Sequence, residues 1–335
     1  MQRRTLLSAT LGLGALTGLS GLAVRGSHES LAGLRLHSGC SLAFGTTVSI
    51  KVLHTNTQLA QTAIECALQQ VRKIDTLMSL HQQASQLFQL NQRGSLDQPH
   101  DHLLRVLTFT QRLSALTDGA FDITVQPLWQ VFKRASAQGT LPTPTEIATA
   151  KALVNWRRVE LGERRIQLGA PGMAITLNGV AQGYAVDLAM AALLEHGVQH
   201  ALLDTGEFGA IGSKAQNQAW LLGVGHPRQH DCMAATLKMD SRKVATSGDY
   251  ETFFSPDFVH HHIFDPDSGD SPLELASVTV VAPTGLLADG LSTAFMVMGT
   301  DKSLALAEQM QDVDALLIDK HGAMRATSNF PVLST

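Results

Sequence analysis

Hydrophobic and polar positions run through this chain with two periods, and the switches between them mark out its elements. In Thr46–Leu53 (TTVSIKVL) polar and apolar residues alternate, which predicts a half-buried strand after Gly45. From Thr57 to Met78 the spacing lengthens, with Leu59, Ala63, Ala67, Val71 and Leu77 on one side of an amphipathic helix. His100–Thr117 repeats the helical pattern and stops at Asp118-Gly119, after which Asp118–Leu128 reads as loop, limited by Gly119 and Pro127. Thr143-Pro144-Thr145-Glu146 is a capping box with proline at the first helical position, opening a short helix to about Leu153. Arg158–Leu161, Arg165–Leu168 and Ala174–Leu177 read as short strands between glycine turns.

Thr176–Leu188 (TLNGVAQGYAVDL) is a strand, a glycine-punctuated turn and the start of a helix, with Gly197 as its C-terminal stop. Helix starts carry free N–H groups and a positive dipole end, so an anion such as a phosphate can sit there. A ligand-free strand-to-helix connection fits the same residues. Further strands are expected at His200–Asp204, Trp220–Val224, Met233–Met239, Val244–Ser247, Ser277–Ala282 and Ala315–Ile318. Helices are expected at Leu286–Met298, capped by Gly299, and from Thr300 through Gln311. Interleaved helices and hairpins favour an α+β fold with mixed or antiparallel sheets and packed helices over a doubly wound one.

At 335 residues, 44% hydrophobic, the chain has ample core for one large domain or two joined ones. Its net charge is −4, and taking away residues 1–25 removes Arg3, Arg4 and Arg25 and no acid, leaving −7. An acidic chain without a basic stripe argues against nucleic acid as a partner. Cys40, Cys66 and Cys232 are too few and scattered for a disulfide framework or a zinc site. Residues 1–25 place Arg3-Arg4 before a moderately apolar run, Leu6 to Val24, a pattern that resembles a twin-arginine export signal. That reading puts the protein in the periplasm, exported already folded, which suits a protein that loads a cofactor first. A retained N-terminal membrane anchor is the alternative, since no clean small-x-small cleavage site follows.

Three constellations can carry chemistry. Asp289 and Thr293 lie four apart on an expected helix and share a face, with Ser292 beside them. Carboxylate, hydroxyl and a backbone carbonyl make a hard-oxygen set suited to Mg²⁺, although Asp289 could equally face solvent with Thr293 bonded to its own helix. His260-His261-His262 alternate faces in an extended segment, so they cannot all bind one metal. One can face a site while its neighbour meets solvent. Val244–Tyr250 (VATSGDY) packs two hydroxyls, a glycine and a carboxylate into one turn, for a polar ligand or for its own local bonds.

Taken in order, these segments resemble the ApbE-like FAD:protein FMN transferases. The matching stretches are GTT at Gly45–Thr47, LMS at Leu77–Ser79, DGAFDITVQPL at Asp118–Leu128 and LNGVAQGYAVD at Leu177–Asp187. They continue with VATSGDY at Val244–Tyr250, HIFDPDSG at His262–Gly269, and SVTVVAP…ADGLSTAFMVMG within Ser277–Gly299. The resemblance spans residues 40–335 and implies an ApbE-like fold and a Mg²⁺-dependent transfer of FMN from FAD to a Thr or Ser hydroxyl, releasing AMP. It implies Mg²⁺ on Asp289, Ser292, Thr293 and the Ala181 carbonyl, and an FAD lined by Ala120, Phe121, Asp122, Asn178, Tyr184 and Ile263. His262 matches the family's histidine, for proton transfer or phosphate contact.

The chain departs from the family pattern at several places. Phe44 replaces the common Met before GTT, and His81 replaces an aromatic, both at flavin-lining positions. Gln182 replaces a common Lys, and Gly206-Glu207-Phe208 stands for a glycine-glycine-aspartate turn. With the twin arginine, the departures resemble the NosX-like branch serving nitrous oxide reductase maturation. Its partner is the exported flavin-acceptor domain of a membrane flavoprotein (NosR-like). An FAD pyrophosphatase and a non-catalytic FAD-binding accessory protein are the competing readings.

Overall fold

The computed structural model describes residues 33–214 and 218–333, so the twin-arginine segment lies outside the described residues. Strands β1 (Arg35–Ala43) and β2 (Thr46–His54) form a hairpin, followed by α1 (Thr57–Met78), α2 (Gln86–Arg93), β3 (Ser95–Asp97) and α3 (Asp101–Leu116). Next come α4 (Gln126–Ser136), α5 (Pro144–Lys151), β4 (Val159–Leu161), β5 (Arg165–Leu168), α6 (Ala181–Glu195), β6 (Ala201–Asp204) and β7 (Phe208–Ile211). The chain continues through β8 (Leu221–His226), β9 (Gln229–Lys238), β10 (Lys243–Gly248) and β11 (Leu275–Ala282). It closes with α7 (Gly285–Met298), α8 (Thr300–Gln309), β12 (Asp314–Asp319) and β13 (Met324–Ala326).

The main sheet has eight strands in the order β1-β2-β6-β7-β10-β11-β12-β13, all paired antiparallel. A three-stranded sheet, β3-β5-β4, and a β8-β9 ribbon complete it, so the α+β reading with antiparallel sheets holds. Alternation in β2 sends Val48, Ile50 and Val52 into the core shared with Ala60, Ala63, Ala67 and Val71 of α1. The other face of the sheet packs Phe208, Val244, Val281 and Leu316 against Trp220, Leu222 and Leu237 of the ribbon region. Strand β11 lies between the two layers and is buried at every residue, which explains its unbroken apolar run.

Three sequence expectations change. Ala174–Leu177 is extended but pairs with no strand. Asn91 brackets Ile175 instead, its amide donating to the Ile175 carbonyl (2.8 Å) and accepting from the Ile175 N–H (2.7 Å). Asp118–Leu128 is not loop throughout: Ile123–Val125 is a 3₁₀ turn and α4 begins at Gln126, with Pro127 in its first turn, where a missing N–H costs nothing. The last helix stops at Gln309, two residues short of expectation. Strand β1, helix α2 and strand β7 carry no alternation or stripe clean enough to announce them.

Candidate active site

The site forms where two helices begin. Helix α6 starts at Ala181 after the turn Asn178-Gly179-Val180, and α7 starts at Gly285 after Thr284. Their first turns press backbone on backbone at Gly183 and Gly285. A Cβ on Gly183 would lie 2.1 Å from the Gly285 carbonyl oxygen, and a Cβ on Gly285 2.3 Å from that of Gly183. Only two glycines allow this approach. Two positive dipole ends therefore converge, a setting that favours negative charge.

Two carboxylates answer that field crosswise. Asp289, on α7, accepts the Gly183 N–H of α6 at 2.9 Å. Asp187, on α6, accepts the N–H groups of Gly285 (2.6 Å) and Leu286 (3.0 Å), the first two residues of α7. Burial pushes the Asp187 carboxyl above its usual range, and these two donors pull it back. Next to Asp289 the hydroxyls gather: Ser247, at the end of β10, is 2.8 Å from the Ser292 hydroxyl and 3.3 Å from that of Thr293. Gly179 lies so close to Thr293 that a Cβ there would sit 2.7 Å from its Oγ1. Glycine turn, Asp289, Ser292 and Thr293 thus come together as the sequence leads one to expect.

The sheet opens at the same place. Strands β7 and β10 pair only through Lys243↔Gly209 and Val244↔Phe208. Beyond that they part, and the buried Glu207 carboxylate bridges them by accepting the Thr246 N–H at 3.3 Å. Gln182, where the family commonly has lysine, is buried and donates its amide to the Thr205 carbonyl at 2.6 Å, tying α6 to the β6–β7 turn.

The remaining candidates form three groups. Ala120, Phe121 and Asp122 lie between α3 and α4, joined to the run before α6 by the Thr176 N–H donating to the Ile123 carbonyl (2.8 Å). Asp122 is buried and accepts from the Thr124 N–H (2.7 Å), the Thr124 hydroxyl (2.6 Å) and the Trp156 N–H (3.0 Å), so it shapes its loop. Phe44 sits with Gly45 in the β1–β2 turn, both at positive φ (53° and 73°), the two-residue primed turn a hairpin prefers. The Asp75 carboxylate of α1 accepts the Phe44 N–H, and His81 is exposed just past the end of α1. Asn178 is exposed at the α6 turn.

Tyr184 and the histidines complete the picture. The Tyr184 hydroxyl is 2.7 Å from His102 Nδ1, and Lys73 Nζ is 3.3 Å from His102 Nε2. Lysine only donates, so Nε2 accepts and Nδ1–H donates to the tyrosine oxygen. Burial, then Lys73, lowers the His102 pKa, in keeping with a neutral ring. His260 pairs with Asp270 at 2.8 Å, His261 is fully buried, and His262 is half-buried. Ile263 lies inward in the main core. His262 Nδ1 is 3.1 Å from the Thr252 carbonyl, which only accepts, so Nδ1 carries a proton.

The donor set around Asp289 is one carboxylate, several hydroxyls and main-chain oxygens. No group of three or more His, Cys, Asp or Glu side chains able to hold a metal occurs among the described residues. That combination fits Mg²⁺, which keeps part of its shell for water and substrate phosphates, and does not fit zinc. Ser247, Asp187, Glu207 and His102 were not singled out as site residues from sequence. Asp187 carries the clearest signal, a lone charge within a helix segment otherwise buried.

The ApbE family profile matches residues 44–317. The chain belongs to the ApbE family. It is 31% identical over 263 residues to the FAD:protein FMN transferase of Salmonella typhimurium, covering 74% of each chain. With that of Vibrio cholerae it shares 29% over 317 residues, 87% of this chain and 92% of the relative. Among solved structures, the ApbE protein of Thermotoga maritima superposes with a TM-score of 0.80 at 28% identity, covering 88% of this chain and 98% of that one. The flavin transferase ApbE of Vibrio cholerae gives 0.77 at 26%, covering 90% and 100%. No described helix is long and apolar enough to cross a membrane.

Proposed function

We propose that this ApbE family member transfers FMN from FAD to a threonine or serine hydroxyl of an exported partner flavoprotein, with Mg²⁺, releasing AMP. The observation that supports it most is the joint of α6 and α7, where converging helix starts meet Asp289, Ser292, Thr293 and Ser247. In the proposed step the acceptor oxygen bonds to the FMN-side phosphorus, the bridge to AMP breaks, and the hydroxyl proton leaves. Mg²⁺ held by Asp289, Thr293, Ser292 and the Ala181 carbonyl would supply charge neutralisation at the diphosphate. The positive dipole end at the α6 start would favour the phosphate charge. His262, its Nδ1 held by the Thr252 carbonyl, is the residue proposed to take the hydroxyl proton. Export through the twin arginine is part of this proposal, and the acceptor belongs to the same compartment.

The test incubates the protein with FAD, Mg²⁺ and a threonine-bearing acceptor domain, then reads flavin fluorescence on a denaturing gel. Covalent flavin is expected, and Asp289→Ala should lower the rate by about a hundredfold or more, as when an electrostatic stabiliser is removed. Release of FMN and AMP without an acceptor at the same rate would mark a pyrophosphatase instead. Unimpaired transfer by Asp289→Ala would refute the site.

A further inference from the structure

Asp187 touches none of the groups expected to meet ligand, yet both of its oxygens are committed to the start of α7. Gly285 and Leu286 carry the first two orphan N–H groups of that helix, and the Thr284 hydroxyl accepts the third, from Leu287, at 3.2 Å. One hydrogen bond would leave the helix start free to pivot. Two bonds to one planar carboxylate fix its direction and its rotation about its own axis. Asp289 lies one turn further along α7 and Thr293 one turn beyond that, so this rotation decides where both oxygens point.

The joint closes on itself. Asp187 of α6 holds α7, and Asp289 of α7 holds the Gly183 N–H of α6. Between them Gly183 and Gly285 leave no room for a Cβ, so the helices can rotate against each other only by losing one of these carboxylate bonds. We propose that Asp187 is a positioning residue of the phosphate and metal site: by clamping the first turn of α7 it sets the aim of Asp289 and Thr293. This deepens the transferase reading and rests on it. The divalent cation is the ligand whose affinity Asp187 controls.

The variant is Asp187→Asn: Gly285 and Leu286 bond to different carboxylate oxygens, so in the native rotamer the amide oxygen keeps one of these bonds while its NH₂ faces the other donor. Mn²⁺ binding to the folded protein in the presence of FAD, followed by the paramagnetic signal of the free ion, is the direct readout. D187N should bind Mn²⁺ about tenfold more weakly. Transfer by D187N should need correspondingly more Mg²⁺ for half-maximal rate. Asp187→Glu, which keeps both oxygens, should fall between the two. A lower melting temperature with unchanged Mn²⁺ affinity would overturn the proposal and leave Asp187 as a helix-capping residue only. If D187N does not fold, D187E decides: a weakened Mn²⁺ affinity supports the proposal and a native one overturns it. The two readings fail separately. A native protein that binds no Mn²⁺ and transfers no FMN defeats the function itself, whereas a native protein that does both, matched by D187N in metal affinity, defeats only the role of Asp187.

Discussion

At the residue scale, neighbouring histidines have been given different tasks by burial alone. His261 has no exposed surface, its Nε2 is 3.3 Å from the Pro272 carbonyl, and its pKa is driven down to about 3, chiefly by burial and then by the nearby His262 and Lys320. In the unfolded chain the same ring titrates near 6.5. The unfolded state therefore binds the extra proton between those two values, and stability falls as pH drops from about 6.5 toward 3, by about 5 kcal/mol in all. Urea titrations across that range should show the loss, and His261→Gln should flatten it. His262 is half-buried and held at Nδ1 by the Thr252 carbonyl. The triplet itself implies that the three alternate, but not which one turns inward, because that depends on Ser271 and Pro272 packing beside it. Ser271 anchors the segment by accepting the His261 N–H at 2.7 Å and donating to the His261 carbonyl at 2.7 Å.

At the element scale, α6 and α7 behave as one unit because their first turns share backbone contacts. A methyl group on Gly183 would meet the Gly285 carbonyl at 2.1 Å and the Asp289 Cβ at 2.6 Å. Gly183→Ala should therefore force the helices apart, destabilise the fold by about 2 kcal/mol as overpacking does, and abolish transfer through the displaced Asp289. Denaturation midpoints and the gel assay check the two effects separately. Helix α6 itself was legible from its glycine turn and its stop at Gly197, which takes φ +75°. Helix α4 was not, because Pro127 reads as a breaker unless one knows that Asp122 caps the preceding turn. The extended run before α6 misled for a related reason: a side chain, Asn91, supplies the partners that a neighbouring strand usually would.

At the scale of the whole molecule, the candidate site lies where the starts of α6 and α7 meet the end of β10, beside the place where β7 and β10 part. Ligands bound there hold elements from distant parts of the chain, so FAD and Mg²⁺ together should stabilise the native state. At a hundredfold excess over the dissociation constant the gain is about 2.7 kcal/mol, a rise of roughly 5 °C in melting temperature for a chain of this size, absent in Asp289→Ala. The amino-acid sequence by itself determined most of the element types, the α+β class, the family, and that Asp289, Ser292 and Thr293 share one helix. Those follow from local periodicity, turn chemistry and ordered motifs, all of which act over short stretches. Only the tertiary structure decided that Asp187 and Asp289 cap each other's helices, that Ser247 joins the hydroxyls, and that Asp122 ties its loop to the Trp156 N–H. Each of those facts depends on contacts between segments tens of residues apart, whose relative position is set by packing that no local pattern records.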